Sequence, residues 1–228
     1  MQEITVKIIA HIKNDYTEKF GIPRQSGIIN SLSSQIIFEP EYRIKEAFRG
    51  LEGFSHLWLI WQFSEAAREN WSPTVRPPKL GGNKRVGVFA TRSPFRPNPI
   101  GMSAVKLEKI DLDCACAPVL TVTGADLMNN TPILDIKPYL PYADSRPEAS
   151  SGFALQEKEG KLQVDFPMEL LEKIPAEKRE GLKEILSQDP RPAYKEDSRR
   201  VYTMAFGENQ VSFTVEQGIA RVIDVEQP

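Results

Sequence analysis

Apolar and polar residues alternate with a period of two over much of the first two thirds of the chain. The run ITVKIIAHI (4–12) alternates as a half-buried strand does. QIIFEP (35–40), RVGVFATRS (85–93) and VLTVTGADL (119–127) are short and rich in β-branched or aromatic residues. This texture predicts an antiparallel sheet or barrel rather than a helical bundle. One stretch breaks it: EYRIKEAFRGLEGF (41–54) places Ile44, Ala47, Phe48 and Leu51 at helical spacing and offers Gly50 and Gly53 as stops. A short helix is expected there, leading into FSHLWLIWQF (54–63). Periodicity leaves that run open between a buried strand and a strand–helix junction.

From about Ser145 the chain becomes polar and turn-rich, as in SRPEASSGFALQEKEGK (145–161), which marks a boundary between units. Beyond it a helical region, PAEKREGLKEILSQ (175–188), precedes three strand-like runs, RVYTMAFG (200–207), QVSFTVE (210–216) and ARVIDVE (220–226). The expectation is therefore a mainly β protein. A barrel-like domain would occupy residues 1–150 and a small α+β domain residues 160–228. The second unit is small enough to be marginal alone and should lean on the first.

Composition adds exclusions. The 228 residues are 40% hydrophobic and 26% charged, an ordinary globular balance. No apolar run approaches the roughly 18 residues a membrane span needs, and the alternating N-terminus is unlike a signal peptide's continuous apolar core, so a cytoplasmic protein is expected. Cys114 and Cys116 are the only cysteines, and His11 and His56 the only histidines. A disulfide framework is excluded and little material remains for a metal site, so no metal is expected.

Charge changes the picture more. The chain carries a formal net charge of −2, yet between Asn70 and Lys106 it has no Asp or Glu, while Arg76, Lys79, Lys84, Arg85, Arg92 and Arg96 fall inside. Such a segment favours phosphates or carboxylates unless the fold brings acidic side chains alongside. Pro73, Pro77, Pro78, Pro94, Pro97 and Pro99 stiffen it, and Gly81 and Gly82 supply a flexible turn. Stiff loops bearing Arg and Asn are suited to gripping an anionic or polar ligand with little ordering cost.

Familiar mechanisms are missing. The chain has no GxxxxGK[ST] phosphate loop, no GxGxxG after a strand, no HExxH and no GxSxG elbow. A hydrolytic triad assembled from Ser93, Ser103 and His56 has nothing but residue type to recommend it, and His56 reads as a core-edge residue or a ligand contact. LDIKPYLPYAD (134–144) is richer: Asp135, Lys137, Tyr139, Tyr142 and Asp144 offer a base, a cation and aromatic faces on a proline-stiffened path, although a structural loop packing its tyrosines has the same composition. QDPRPAY (188–194) sets Arg191 between two prolines near Tyr194, which suits phosphate contact and base stacking, or simply a helix stop with a surface arginine.

Taken together, IPRQSG (22–27), RGLEGFSHLWL (49–59), TVRPPKLGGNKRVGVFATRSPFRPNPIGMS (74–103), DIKPYLPYAD (135–144) and QDPRPAY resemble, in order, the TsaA-like (TrmO) family. The resemblance implies an S-adenosylmethionine-dependent tRNA methyltransferase. It would act on the exocyclic nitrogen of the threonylcarbamoyladenosine next to the anticodon of threonine tRNAs. A β-barrel-like fold instead of a Rossmann sheet is implied, with the cofactor near a homodimer interface. Family cofactor contacts would fall on Pro23, Arg24, Gln25, His56, Leu57, Arg92 and the strand end Gly124, Ala125, Asp126 and Leu127. Asp135, with Tyr139 beside it, is the expected catalytic group. Arg96, Asn98, Lys137, Arg191 and Tyr194 are the expected tRNA contacts. The alternatives are a non-catalytic S-adenosylmethionine-sensing or RNA-binding module, and a methyltransferase acting on another small molecule or nucleotide.

Overall fold

The computed structural model describes residues 3–66, 71–77, 80, 83–154, 161–191 and 200–227. Six antiparallel strands close into a barrel in the order β1 (Ala10–Lys13), β2 (Ser33–Phe38), β7 (Val119–Thr123), β6 (Ile100–Asp111), β3 (His56–Gln62) and β8 (Pro132–Pro138). Closure leaves no free edge in this sheet. Between β3 and β6 the chain adds a small ribbon of β4 (Thr74–Val75) and β5 (Val86–Gly87). The expected mainly β barrel is thus borne out.

The barrel interior follows from strand alternation. In β3, Leu57, Leu59 and Trp61 are buried while Trp58, Ile60 and Gln62 are only partly covered. In β6, Gly101, Ser103 and Val105 face inward. Ile12, Ile36, Leu120, Val122 and Ile133 complete the core. Gly101 is required by its neighbour, because a Cβ there would lie 2.3 Å from the Trp61 ring.

Three local expectations fail for identifiable reasons. The alternation over residues 4–12 yields a strand only from Ala10, where β2 and β8 both supply partners. Ile4, Val6 and Ile8 lie beyond the barrel and are exposed. The helix expected in 41–54 is instead three 3₁₀ turns, Pro40–Tyr42, Lys45–Phe48 and Leu51–Gly53. Ile44 between the first two is extended and Gly50 is left-handed, and the break drops Phe48 edge-on against Phe38 at 4.8 Å. RVGVFATRS contributes only the two residues of β5 before a 3₁₀ turn, Val88–Ala90. FSHLWLIWQF resolves as strand β3.

The tail contains a four-stranded sheet in the order β10 (Tyr202–Phe206), β11 (Asn209–Glu216), β12 (Ile219–Glu226) and β9 (Gln163–Asp165). The short helix α1 (Pro141–Asp144) follows β8, while α2 (Met168–Leu171) and α3 (Arg179–Ser187) belong to the tail. Leu182, Ile185 and Leu186 of α3 share a core with Phe206, Phe213 and Val222, and with Tyr16, Ile29 and Leu32 from the N-terminal region. The segment 16–32 therefore belongs to the tail's core. Polar ties reinforce it: Lys178 Nζ lies 2.7 Å from Asp15 Oδ1, and Ser31 Oγ donates to Glu184 Oε2 at 2.6 Å. No helix among the described residues is long and apolar enough to cross a membrane.

Candidate functional site

The loop 22–27 meets the end of β7 through two glycines. Gly27 and Gly124 both hold positive φ, 76° and 80°, and the Gly27 N–H donates to the Gly124 carbonyl at 2.8 Å. A Cβ on Gly124 would sit 3.3 Å from the Gly27 backbone and 3.1 Å from Asn30 Oδ1, so two strained turns and a close approach all favour glycine. The Ser26 amide is thereby set within hydrogen-bonding reach of Asp126.

Asp126 lies just past β7. Its Oδ1 accepts the Ser103 hydroxyl at 2.5 Å, and Ser103 Oγ accepts the Trp61 indole N–H at 3.0 Å. Burial pushes the Asp126 carboxyl above its ordinary value. The Ser103 hydroxyl, its own backbone amide, the Arg92 charge and the Ser26 amide oppose that shift without cancelling it.

Arg92 joins from the loop between β5 and β6. Its Nη1 donates to Gln25 Oε1, while Gln25 Nε2 donates to the Arg24 carbonyl at 2.5 Å. The loop itself is stitched locally. Thr91 Oγ1 donates to the Val88 carbonyl, the Ser93 amide donates to Thr91 Oγ1, and Arg96 Nη1 donates to the Thr91 carbonyl at 3.1 Å. Val88 anchors it in the interior. Of the two expected arginines in this loop, Arg92 thus reaches the Gln25–Asp126 group, whereas Arg96 spends part of its guanidinium on its own loop. Asn98 is exposed in the same loop, and its carbonyl accepts the Ile100 N–H.

A second group lies on the outer face of the barrel. The register pairs Ile60 with both Asp135 and Met102, so Asp135 faces outward while Ser103 faces inward. Asp135 Oδ2 is 2.8 Å from Lys137 Nζ, and its Oδ1 accepts the Ile136 N–H at 2.9 Å. The Tyr139 amide donates to the His56 carbonyl at 3.0 Å, and the Tyr139 ring centroid lies 6.2 Å from His56 and 5.4 Å from Trp58. Asp144 Oδ2 closes the end, accepting the Leu140 N–H at 2.8 Å and the Trp58 indole N–H at 2.9 Å. These bonds hold its carboxyl below the usual range.

The expected residues therefore divide. Gln25, Arg92, Gly124 and Asp126 come together, with Pro23 and Arg24 leading in. His56, Asp135, Lys137 and Tyr139 form the outer group. Leu57, Ala125 and Leu127 are core residues, and only their backbones are available to a ligand. Arg191 makes a two-point ion pair with Asp189 in its own turn. Tyr194, Pro78, Lys79, Gly81 and Gly82 lie outside the described residues. Ser103 and Trp61 are the members that sequence reasoning missed as parts of this site. A cleft of about 640 Å³ between Asn14, Asp15 and the tail's Lys173 and Lys178 contains none of the expected residues. The Cys114 and Cys116 sulfurs lie 4.0 Å apart, and no group of three or more metal-ligating side chains occurs among the described residues.

Family comparison gives this arrangement its context. The family model for the tRNA-methyltransferase O N-terminal domain matches residues 11–145, and that for the TrmO C-terminal domain matches residues 159–228. The chain belongs to the TrmO family. Among TrmO-family relatives, the tRNA (adenine(37)-N6)-methyltransferase of Escherichia coli strain K12 is 42% identical over 90% of each chain. A protein of the same name from Eikenella corrodens is 45% identical over 74% of this chain and 95% of its own. A crystal structure of TrmO from Pseudomonas aeruginosa shares the fold with a TM-score of 0.79 at 31% identity, covering 99% of this chain and all of that one.

The donor set fits S-adenosylmethionine. A half-buried carboxylate stands beside an exposed guanidinium whose described partner is a neutral amide, and these are complementary to the ammonium or ribose hydroxyls and to the carboxylate of that cofactor.

Proposed function

We propose that this chain is an S-adenosylmethionine-dependent tRNA methyltransferase that modifies the exocyclic nitrogen of adenosine 37. Its preferred substrate is the threonylcarbamoyl form of that base in threonine-reading tRNAs, and it works as a cytoplasmic homodimer. The observation that carries the reading is the match to the Escherichia coli tRNA (adenine(37)-N6)-methyltransferase over nine tenths of both chains. The barrel of residues 1–150 carries the chemistry, and the domain of residues 160–228 supports it.

When bound, S-adenosylmethionine supplies a methyl group already activated by a sulfonium. Arg92 would take a carboxylate with the N–H groups that Gln25 does not occupy, and Gln25 would donate or accept alongside. Asp126, polarised by Ser103, accepts from an ammonium or a ribose hydroxyl. The backbone at Gly124 and Gly27 lets the ligand approach closely. Alignment and exclusion of water are the main tasks left to the protein.

The nucleophile is the harder problem, because a carbamoylated adenine nitrogen delocalises its lone pair and must lose a proton for methyl transfer. Asp135 orients or accepts that proton. Lys137, 2.8 Å away, pairs with it and steadies negative charge on the carbamoyl oxygen, and Tyr139 borders the same face. Arg96 and Asn98 meet the threonyl carboxylate, and the acid-free stretch from Trp71 to Lys106 takes tRNA phosphates. Arg191 and Tyr194 provide a contact from the tail.

Asp126 and Asp135 occupy opposite faces of one barrel wall, and no described hydrogen bond or ion pair joins them. A second copy docked on the outer face, where Ile100 and Met102 are exposed beside Ile60, completes the surroundings of Asp135. The test is transfer of radiolabelled methyl from S-adenosylmethionine to bulk tRNA. Incorporation is expected with the wild-type chain. No incorporation, with calorimetric cofactor binding intact, favours the sensing module.

A further inference from the structure

Tyr142 is the most exposed aromatic ring of the LDIKPYLPYAD segment, at 84% of its full accessible surface. It lies on a short but firmly held platform. Pro141 sets the first residue of α1, and the Asp144 carboxylate, two residues on, accepts both the Leu140 N–H and the Trp58 indole N–H. The Ala143, Asp144 and Ser145 amides close on the Leu140 and Pro141 carbonyls. Trp58 belongs to β3 and packs against Tyr139, so the platform is fastened to the barrel wall. A large apolar ring is thus held in water on a backbone that has already lost its freedom.

Its surroundings decide what covers it. Every residue from 141 to 150 is exposed, and Asp144, Ser145, Arg146 and Glu148 all follow Tyr142 within six positions of the chain. A subunit interface needs a contiguous apolar core, and the large apolar side chains exposed on the barrel strands, Ile100 and Met102, are on β6, separated from β8 by β3. One aromatic face in a polar setting suits a flat, polar-edged heterocycle. Lys137 is paired with Asp135, and Arg146, four residues past Tyr142, is the cation that can meet a nucleotide phosphate.

We infer that Tyr142 is a stacking site for an unpaired nucleobase of the RNA substrate, next to the base that is modified. The inference rests on the proposed tRNA-methyltransferase reading and deepens it. Stacking on a preformed ring costs little ordering and tolerates any base, so Tyr142 supplies affinity and register rather than sequence choice.

The test uses the full chain and a fluorescein-labelled anticodon stem-loop of threonine tRNA, with affinity read by anisotropy. Tyr142→Ala and Tyr142→Leu are expected to weaken binding roughly five- to 150-fold, the range for loss of one base–aromatic stack. Tyr142→Phe should stay within about twofold, because the hydroxyl is not needed for stacking. The slope of affinity against salt should be unchanged in all three, since the ring neutralises no phosphate. Wild-type affinity in Tyr142→Ala, or a loss in Tyr142→Phe as large as in Tyr142→Ala, overturns the stacking role. So does a change of oligomeric state in Tyr142→Ala by light scattering, which makes the ring a subunit contact. Wild-type protein that transfers no methyl to tRNA contradicts the underlying reading instead.

Discussion

Ser103 holds Asp126 from inside the barrel, its hydroxyl donating to the carboxylate at 2.5 Å while its oxygen accepts the Trp61 indole N–H at 3.0 Å. Asp126 is thus a half-solvated acid with a fixed orientation, kept in place by the core itself. Burial raises its pKa above the ordinary 3.8, so the folded state binds a proton more tightly than the unfolded chain. In the window between 3.8 and that raised value, stability falls as pH rises, and above it the full cost of a buried charge is present. Asp126→Asn should therefore raise the melting temperature at pH 7 and lose that advantage at pH below 4. It should also weaken S-adenosylmethionine binding roughly ten- to hundredfold by calorimetry, as expected when a charge-assisted hydrogen bond is lost. A variant less stable at pH 7 contradicts this account of the carboxylate.

Arg92 meets Gln25 through one guanidinium nitrogen, which leaves its fork available for a carboxylate. Lysine retains the charge but not the fork. Arg92→Lys should weaken cofactor affinity by roughly tenfold with the fold unchanged. Equal affinity means that Arg92 does not bind the carboxylate.

Asp135 is expected to act on the transferred proton and not on binding. Asp135→Asn should lower kcat at saturating cofactor and tRNA while leaving both affinities within about twofold, the pattern of a group whose contribution arises in the transition state. Unchanged turnover removes Asp135 from the mechanism.

Gly101 offers a packing test. A methyl group at this position meets the Trp61 ring, and Trp61 orients Ser103. Gly101→Ala should cost about 1–3 kcal/mol in chemical denaturation, typical of overpacking, and should weaken cofactor binding through the displaced Ser103–Asp126 pair. Loss of stability with cofactor affinity intact breaks that link.

The barrel was legible where a strand is short and rich in β-branched or aromatic residues. VLTVTGADL and QIIFEP announce β7 and β2 in this way, with Leu120, Val122 and Ile36 all in the core. The longest strand, β6, carries no such announcement: its inward positions begin with Gly101 and Ser103, which are small because Trp61 and Asp126 fill the space beside them. That same substitution of small residues for apolar ones hid Ser103 from the candidate site. The charged stretch around Arg92 was readable from missing carboxylates, and the family resemblance pointed to Gln25 and Asp126, which the fold groups with Arg92. No local pattern distinguishes Asp126 from Asp135 by barrel face, because facing depends on a strand pairing and on the irregular register between Ile60 and Trp61. The exposed Ile4, Val6 and Ile8 show the converse, alternation without partners.

The most direct measurement incubates purified protein and S-adenosylmethionine with two preparations of threonine tRNA, with and without the threonylcarbamoyl group, followed by nucleoside mass spectrometry. The account predicts one added methyl on the exocyclic nitrogen of the modified base and none on the unmodified tRNA. Equal methylation of both, or methylation of neither while cofactor binding is intact, contradicts it.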